Sequence, residues 1–320
     1  MKIRQAALIG MGAIGTVYGK LLYGRYGADF GVIASGERGE KLRRSGTVLD
    51  GERFYPRVPD AGETDFRPGL ILVCVKNYQL EAAVTDMRPF VQPGTVILPL
   101  LNGITAREEL SGYFPDCRVL YGLTVRIDAV RTAAGVSHTD DGHVQFGDAA
   151  NDPPAPDVLE VKAFLDAAGV ETEIAPDMIR AVWKKWMLNV GVNQVSAVTG
   201  SVYGRIMPVG ANRELFHEAM EEVVALAQKC RINLSEKDVQ EFETLMETFS
   251  PEGKTSMLQD VEAGRRTEVE NFGGTVVRLG KKYGVPTPVN HVLYRVIQSI
   301  EAQRGLCPLP SPAVWHGGRH

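Results

Sequence analysis

One glycine pattern near the start of the chain constrains the fold more than any other feature. The sequence G-M-G-A-I-G at residues 10–15 directly follows the apolar run 6–9 and directly precedes a helical pattern at 16–26. In this setting the first glycine permits a tight turn, the second lets the backbone approach a pyrophosphate, and the third lets helix and strand pack closely. The free N–H groups at the start of the helix then bind the phosphates. The loop therefore predicts a dinucleotide site formed by Gly10, Met11, Gly12, Ala13, Ile14 and Gly15.

Length, charge and hydropathy exclude several other classes of protein. The chain has 320 residues, which predicts two domains, and a formal charge of -4. This weakly acidic net charge is not typical of a nucleic-acid-binding protein, which usually presents a basic face. No apolar stretch reaches the ~18–20 residues that a membrane helix needs, and the first apolar run ends at Gly10 without a signal-peptide cleavage pattern. We therefore expect a cytoplasmic protein that binds neither nucleic acid nor membrane.

The cysteine and histidine patterns predict no metal site. The four cysteines are far apart and include no C-x-x-C pair, and the six histidines lack the spacing of paired ligands.

Strand patterns dominate the chain up to residue 176. Continuous apolar runs at residues 6–9, 29–34, 70–75 and 95–100 alternate with segments of helical length. Such runs are typical of parallel strands that are covered on both faces, so the alternation indicates a doubly wound α/β sheet. The segments 118–127, 135–138 and 143–146 are separated by turn residues, and we expect them to extend this sheet as antiparallel strands.

Helical patterns dominate from Asp177 onward. They cover residues 177–199, 209–230, 235–248, 253–284 and 287–302, and Asp177 suits the N-cap of the first. The predicted organisation is a dinucleotide-binding domain at 1–176, an all-helical substrate and catalytic domain at 177–304, and an irregular tail at 305–320.

The residues after the second predicted strand bear on the choice of nicotinamide cofactor. An NAD site usually has Asp or Glu at the end of this strand, but Ser35 occupies that place here. Ser35 and Arg38 would hold a 2′-phosphate by hydrogen bond and charge. Glu37 leaves open a contact with a ribose 2′-hydroxyl instead. We therefore expect NADP (NADPH), bound in part by Ser35 and Arg38, with NAD as the alternative.

A polar stripe runs along the helical segment that begins at Asp177. Lys185, Asn189 and Asn193 are spaced i, i+4 and i+8, so they share one face of a helix that is otherwise rich in apolar residues. This spacing alone also fits a stripe that faces solvent. Lys184 lies about 100° round the helix, and we expect it to be an exposed neighbour.

Five segments together resemble the ketopantoate reductase (2-dehydropantoate 2-reductase) family, from about residue 5 to about residue 302. They are V-C-V-K-N-Y-Q at 73–79, L-L-N-G at 100–103, W-K-K-W-M-L-N-V-G-V-N at 183–193, T-S-M-L-Q-D at 255–260 and T-E at 267–268. The resemblance implies an N-terminal Rossmann-type dinucleotide-binding domain followed by an all-helical domain. It also implies reduction of 2-dehydropantoate to pantoate by NADPH, a step toward pantothenate and coenzyme A.

The resemblance also implies catalytic and substrate-binding roles. Lys185 takes the place of the general acid that protonates the ketone oxygen, which needs a proton as hydride reaches the carbonyl carbon. Glu268 matches the acidic residue that assists this lysine or contacts substrate. Asn189 and Asn193 match substrate-binding asparagines, and Ser256 matches the serine that binds the substrate carboxylate.

Further residues are implied to lie near the cofactor. Asn102 matches an asparagine near both the nicotinamide and the substrate, and Lys76 matches a lysine near the cofactor. Thr124 is also expected to face the cofactor.

Two alternatives remain open at this stage. One is a reductase of the same fold that acts on another 2-oxo acid, since Gln194 stands where pantoate-forming members often have proline. The other is an NADP(H)-binding sensor without catalysis, although a sensor would not need the pair Lys185 and Glu268. The expected partner is a small 2-oxo acid, and the helical half is compatible with a homodimer.

Overall fold

The computed structural model describes residues 2–306, so residues 307–320 of the predicted tail lie outside the described part of the chain. The chain divides into two compact units between Val182 and Trp183, inside one continuous helix. The strands, all in the first unit, are β1 (Ala6–Ile9), β2 (Phe30–Ile33), β3 (Thr47–Leu49), β4 (Glu52–Phe54), β5 (Leu70–Val73), β6 (Val96–Pro99), β7 (Arg118–Val119), β8 (Tyr121–Val125), β9 (Asp128–Arg131), β10 (Val136–Asp140), β11 (His143–Gly147) and β12 (Thr172–Glu173). The helices that precede the division are α1 (Ala13–Tyr26), α2 (Gly36–Ser45), α3 (Leu80–Met87), α4 (Ala106–Tyr113) and α5 (Pro156–Ala167).

A five-stranded parallel sheet forms the centre of the first unit. Its strand order is β2-β1-β5-β6-β7, and every neighbouring pair is parallel. All residues of β1, β2, β5 and β6 are buried, as expected of strands that are covered on both faces. The prediction of a doubly wound parallel sheet is confirmed. Ligands of such sheets bind beyond the carboxyl ends of the strands.

The prediction that residues 118–146 extend this sheet as antiparallel strands is wrong. Only β7 joins it, and it does so in parallel. Strand β8 pairs with β11 in a three-stranded sheet that β12 completes, while β9 and β10 join β3 and β4 in a four-stranded sheet. The β3–β4 hairpin, which the sequence patterns do not indicate, offers β10 an edge to pair with. Strand patterns therefore predict extended chain but not the pairing partners.

The second unit is helical. The helices are α6 (Met178–Thr199), which crosses the division, α7 (Gly210–Lys229), α8 (Glu236–Met246), α9 (Ser256–Glu262), α10 (Gly273–Tyr283) and α11 (Pro288–Gln303). The predicted N-cap of α6 is confirmed, because the carboxylate of Asp177 accepts a hydrogen bond from the backbone N–H of Arg180 at 2.9 Å. The core of the second unit contains fully buried side chains, among them Trp186, Phe216, Met220, Val276 and Ile297.

The helical pattern at 253–284 is two helices rather than one. Helix α9 ends at Glu262, and Gly264 follows with a φ of +62°, a conformation that glycine adopts without strain. Helix α10 starts only at Gly273. The intervening turn, residues 263–272, contains Glu268. No helix among residues 2–306 is long and apolar enough to cross a membrane.

Candidate active site

The three glycines of the loop between β1 and α1 have different surroundings. Gly10 has a φ of +101°, and a Cβ there would lie 2.6 Å from the carbonyl carbon of Cys74. A Cβ on Gly15 would lie 2.0 Å from the carbonyl oxygen of Gly10. A Cβ on Gly12, the N-cap of α1, would meet no heavy atom of residues 2–306 within 4 Å. Gly10 and Gly15 are therefore required by packing, whereas Gly12 keeps open the space in which a phosphate would approach the helix start.

An arginine that the sequence analysis did not single out contacts this loop. The guanidinium of Arg131, on β9, donates a hydrogen bond to the carbonyl oxygen of Met11. This contact places a cation at the glycine loop. No local motif marks Arg131, because the contact depends on how the β9–β10 hairpin packs against α1.

The candidate ribose-binding residues are exposed at the end of β2. Ser35 is the N-cap of α2, and its side chain makes no capping hydrogen bond to that helix. Arg38 lies in the first turn of α2 and is exposed, as is Glu37. Both Ser35 and Arg38 are thus accessible beyond a strand of the parallel sheet.

Lys76 and Asn102 follow neighbouring strands of the parallel sheet. Lys76 comes shortly after β5 and Asn102 shortly after β6, and both are half-buried. The side-chain amide of Asn77 donates to the backbone carbonyl of Asn102 at 2.7 Å, which joins the two segments. Thr124 differs, because it is only 2% exposed within the three-stranded sheet, opposite Val144.

The polar stripe of α6 is only partly accessible. Lys185 and Asn189 are half-buried, and Asn193 is 5% exposed. Trp186 and Val190, which lie between them in sequence, are buried in the core. The stripe therefore does not face open solvent, which was the simpler interpretation of its spacing.

Burial and a nearby carboxylate act on Lys185 in opposite directions. Burial lowers the pKa of Lys185 to about 8, and the charge of Glu268 partly opposes this change. Glu268 is itself buried, at 8% exposure, in the turn between α9 and α10. A half-buried ammonium of this pKa is a far better proton donor at neutral pH than an ordinary lysine, whose pKa is about 10.4.

The expectation that Lys184 is simply exposed is wrong. Its ammonium lies 3.1 Å from Oδ1 of Asp238, pairs with Glu241, and sits over the ring of Phe242 at 5.6 Å. Asp238 is buried and also accepts a hydrogen bond from the backbone N–H of Ser235 at the start of α8. Lys184 thus anchors α6 to α8, while the adjacent Lys185 experiences the charge of Glu268.

Ser256 is exposed at the first position of α9, and its neighbour holds it near the end of α6. The hydroxyl of Thr255 accepts from the backbone N–H of Leu258 at 3.1 Å and donates to Ser196 on α6 at 3.0 Å. Ser196 in turn donates to the carbonyl of Ser201 at 2.7 Å. This buried chain of hydrogen bonds fixes where α9 begins.

Gln194 points into the helical core. It is fully buried, and its amide donates to the carbonyl of Val190 and to the side chain of Asn290, both at 2.8 Å. Gln194 therefore joins α6 to α11 through Asn290.

Histidine and glutamate side chains converge at one place that their spacing did not predict. Ligand atoms of His217, Glu221 and Glu236 lie within 4.8 Å of one another. Burial lowers the pKa of His217, but its hydrogen bond to Glu243 and the surrounding carboxylates outweigh this, so the pKa is raised. The carboxylates of Glu221, on α7, and of Glu236 and Glu243, on α8, surround the imidazole at 3.4, 3.7 and 3.0 Å. The group is best described as an ion-pair cluster between α7 and α8.

A Rossmann-type unit with an open glycine loop and a helical unit with a lysine of lowered pKa define a dinucleotide-dependent oxidoreductase. Two family models match this chain, described as "Ketopantoate reductase PanE/ApbA" over residues 6–151 and "Ketopantoate reductase PanE/ApbA C terminal" over residues 177–301. The chain belongs to the ketopantoate reductase family, so the resemblance seen in the sequence is confirmed.

Individual relatives agree with this assignment over nearly the whole chain. A 2-dehydropantoate 2-reductase from Halobacterium salinarum is 29% identical, over 90% of this chain and 96% of its own. The crystal structure of 2-dehydropantoate 2-reductase from Methylococcus capsulatus is 28% identical, with a TM-score of 0.80 over 94% of this chain and 97% of its own. D-mandelate dehydrogenase with NADH and anilino(oxo)acetate shares the fold, at 21% identity and a TM-score of 0.84 over 95% and 100% of the two chains.

Proposed function

We propose that this protein reduces 2-dehydropantoate to pantoate with NADPH, using Lys185 as the general acid. The observation that carries the proposal is the environment of Lys185, which is half-buried, has a pKa lowered to about 8 and experiences the charge of Glu268. It shares a helix face with Asn189 and Asn193. The similar proteins named 2-dehydropantoate 2-reductase support this choice of substrate.

The residues of the first unit fit a dinucleotide. The open position at Gly12 leaves room for a pyrophosphate at the start of α1. Ser35 and Arg38 would hold the 2′-phosphate of NADP, while Lys76 and Asn102 would lie near the nicotinamide end, as would Thr124. When bound, NADPH supplies the hydride.

The residues of the second unit would then act on the oxo acid. Asn189 and Asn193 would hold the substrate by hydrogen bonds, and the hydroxyl of Ser256 would bind its carboxylate. The ammonium of Lys185 would donate a proton to the ketone oxygen as negative charge develops there. The charge of Glu268 then favours return of a proton to the neutral amine.

The direct test mixes the protein with NADPH and 2-dehydropantoate and measures oxidation of NADPH as a loss of its absorbance. The same assay with NADH is run alongside. Fast turnover with NADPH supports the substrate, the cofactor and the chemistry together. Turnover of a different compound in a panel of 2-oxo acids would replace the substrate, and an aromatic oxo acid belongs in the panel because of the fold shared with D-mandelate dehydrogenase. Tight NADPH binding without turnover of any compound would favour the sensor alternative.

The pH dependence of reduction should follow the pKa of Lys185. The donor is the protonated amine, so kcat/KM should be constant below pH 8 and fall about tenfold per pH unit above the pKa of about 8. In the oxidation direction the neutral amine accepts the proton, so that rate should rise through the same pH range. Glu268→Gln removes the influence that raises this pKa, and the inflection should move down by about 1 pH unit.

Glu270→Gln is the matched control for this profile. Glu270 lies two residues away in the same turn, but its carboxylate accepts hydrogen bonds from Tyr294 at 2.7 Å and from Gln298 at 3.1 Å. The inflection should stay in place in this variant. Equal displacement by the two substitutions would contradict a specific influence of Glu268.

Arg131→Ala should weaken NADPH binding about 3- to 10-fold, because it removes a cation at the glycine loop. The effect should shrink at high salt, since exposed charges are screened. Fluorescence titration of NADPH at two salt concentrations measures the affinity and its dependence on salt. Arg4→Ala is the control, because Arg4 is exposed and precedes β1, whereas the loop follows it. Similar losses in the two variants would show that net charge alone is responsible.

Location and assembly are part of the same proposal. We infer a cytoplasmic enzyme that works as a homodimer, and a structure of the same fold is described as dimeric ketopantoate reductase from Staphylococcus aureus. Light scattering of the purified protein over a range of concentrations tests the dimer.

A further inference from the structure

The turn that carries Glu268 is held by a second buried glutamate. One carboxylate oxygen of Glu301, Oε1, accepts hydrogen bonds from both the backbone N–H and the hydroxyl of Thr267, each at 2.6 Å. Thr267 and Glu301 are each 3% exposed. Glu301 lies in the last turn of α11, 34 residues away in sequence. The residue directly before Glu268 is therefore fixed by a distant helix.

The other side of the turn is tied to α6. The indole N–H of Trp186 donates to the backbone carbonyl of Asn271 at 2.8 Å, and Trp186 is only 1% exposed. Trp186 directly follows Lys185 in the helix. Within the turn, the backbone N–H of Asn271 bonds to the carbonyl of Glu268 at 2.9 Å, and the N–H of Val269 bonds to the hydroxyl of Thr267 at 3.2 Å. Glu268 thus lies between two anchored points.

If Glu301 served only to pack the core, a carboxylate would be unfavourable at this buried position. Moving an ionised carboxyl group out of water is strongly unfavourable unless hydrogen bonds compensate, and an apolar side chain of similar volume often stabilises a core better. What the carboxylate provides, and an apolar side chain does not, is one fixed acceptor for two donors of Thr267. That acceptor restricts the backbone immediately before Glu268.

We propose that Glu301 is a positioning residue, which acts through Thr267 to hold the carboxylate of Glu268 in place relative to Lys185. This inference rests on the proposed function only in taking Lys185 as the acid. Glu268 is the charged group that acts on the pKa of Lys185. A turn that relaxes without Glu301 moves this charge away, so the consequence reaches Lys185 without any contact between Glu301 and substrate.

The test measures the pKa of Lys185 itself. Lysine labelled with ¹³C in the full chain is titrated by NMR, and Lys185→Arg assigns its signal. Glu301→Ala should lower the pKa of Lys185 by about 0.5 to 1 unit, in the same direction as Glu268→Gln. Glu301→Gln keeps the carbonyl acceptor, so the pKa should remain within about 0.2 units of the unmodified protein. The double variant E268Q/E301A should show the same pKa of Lys185 as E268Q alone. If Glu301 acts on Lys185 only through Glu268, the effects of the two substitutions do not add.

Two results would overturn the inference. One is a lowered melting temperature in Glu301→Ala with no change in the pKa of Lys185, which is what a purely structural role predicts. The other is an equal shift in Glu301→Gln, which would mean that the charge of Glu301 acts directly. If Glu301→Ala does not fold, Thr267→Val takes its place: it removes the hydroxyl that donates to Glu301 and accepts from Val269, with little change in volume, and Thr267→Ser, which keeps the hydroxyl, is its control. Because the titration needs no substrate, failure of turnover with every oxo acid would reject the proposed function and leave this test intact.

Discussion

Replacing Lys185 with alanine should lower kcat for oxo-acid reduction about 10²- to 10⁴-fold, the usual contribution of a general acid. The reason is local, since removal of the side chain leaves the ketone oxygen without the proton donor whose pKa burial has lowered to about 8. NADPH affinity should change little, because the glycine loop at residues 10–15 is unaltered. Steady-state kinetics and a separate cofactor titration measure the two quantities.

The adjacent lysine provides the control for this experiment. Lys184→Ala removes the same charge one position earlier in α6, but Lys184 is engaged by Asp238 and Glu241. Its loss should lower the melting temperature through the buried carboxylate of Asp238, with kcat reduced no more than a few-fold. A large loss of kcat in Lys184→Ala together with normal turnover in Lys185→Ala would reverse the assignment of the two lysines.

Adding one methyl group at Gly12 should weaken NADPH binding about 10- to 100-fold while leaving the fold intact. The structure has no heavy atom within 4 Å of the position that a Cβ would occupy there, so nothing among the described residues resists Gly12→Ala. A bound pyrophosphate needs close approach to the backbone at this point, and each hydrogen bond to a charged group is worth about 1.5–3 kcal/mol. Calorimetric titration with NADPH and a thermal melt of the apoprotein separate the two effects.

Two glycines within α1 provide controls for the Gly12→Ala variant. Gly24→Ala adds the same methyl group into open space far along the helix, so it should alter neither affinity nor fold. Gly15→Ala forces a Cβ to within 2.0 Å of the carbonyl oxygen of Gly10, and it should destabilise the folded protein by about 3 kcal/mol or more. Loss of affinity in Gly24→Ala, or a melting temperature that falls as much in Gly12→Ala as in Gly15→Ala, would contradict the distinction.

The features that can be predicted from the sequence depend on residues close together in the chain. The glycine loop needs only a strand, six residues and a helix, and the structure reproduces its geometry. The face shared by Lys185, Asn189 and Asn193 follows from helical periodicity alone. The buried strands of the parallel sheet are recognisable because continuous apolar runs of this length are typical of strands that helices cover on both faces.

The features that the sequence does not reveal depend on tertiary contacts. The position of Arg131 at the glycine loop follows from the pairing of β9 and β10 with a hairpin that has little sequence signal. The break between α9 and α10 is hidden because the helical pattern continues on both sides of Gly264. The spacing alone predicts that Lys184 is exposed, because its partner, Asp238, lies 54 positions further along the chain. Glu301 and Thr267 are likewise far apart in sequence and carry no motif.

The lowered pKa of Lys185 also changes the covalent reactivity of the protein. At pH 7.4 an amine with a pKa of about 8 is neutral in roughly a fifth of molecules, whereas an ordinary lysine is neutral in only about one in a thousand. Only the neutral amine is a nucleophile. For acylating reagents and aldehydes that reach this half-buried side chain, the nucleophilic fraction is therefore about two hundred times larger than that of an ordinary lysine. The property that makes Lys185 a good proton donor therefore also enlarges the fraction of its amine that can react as a nucleophile.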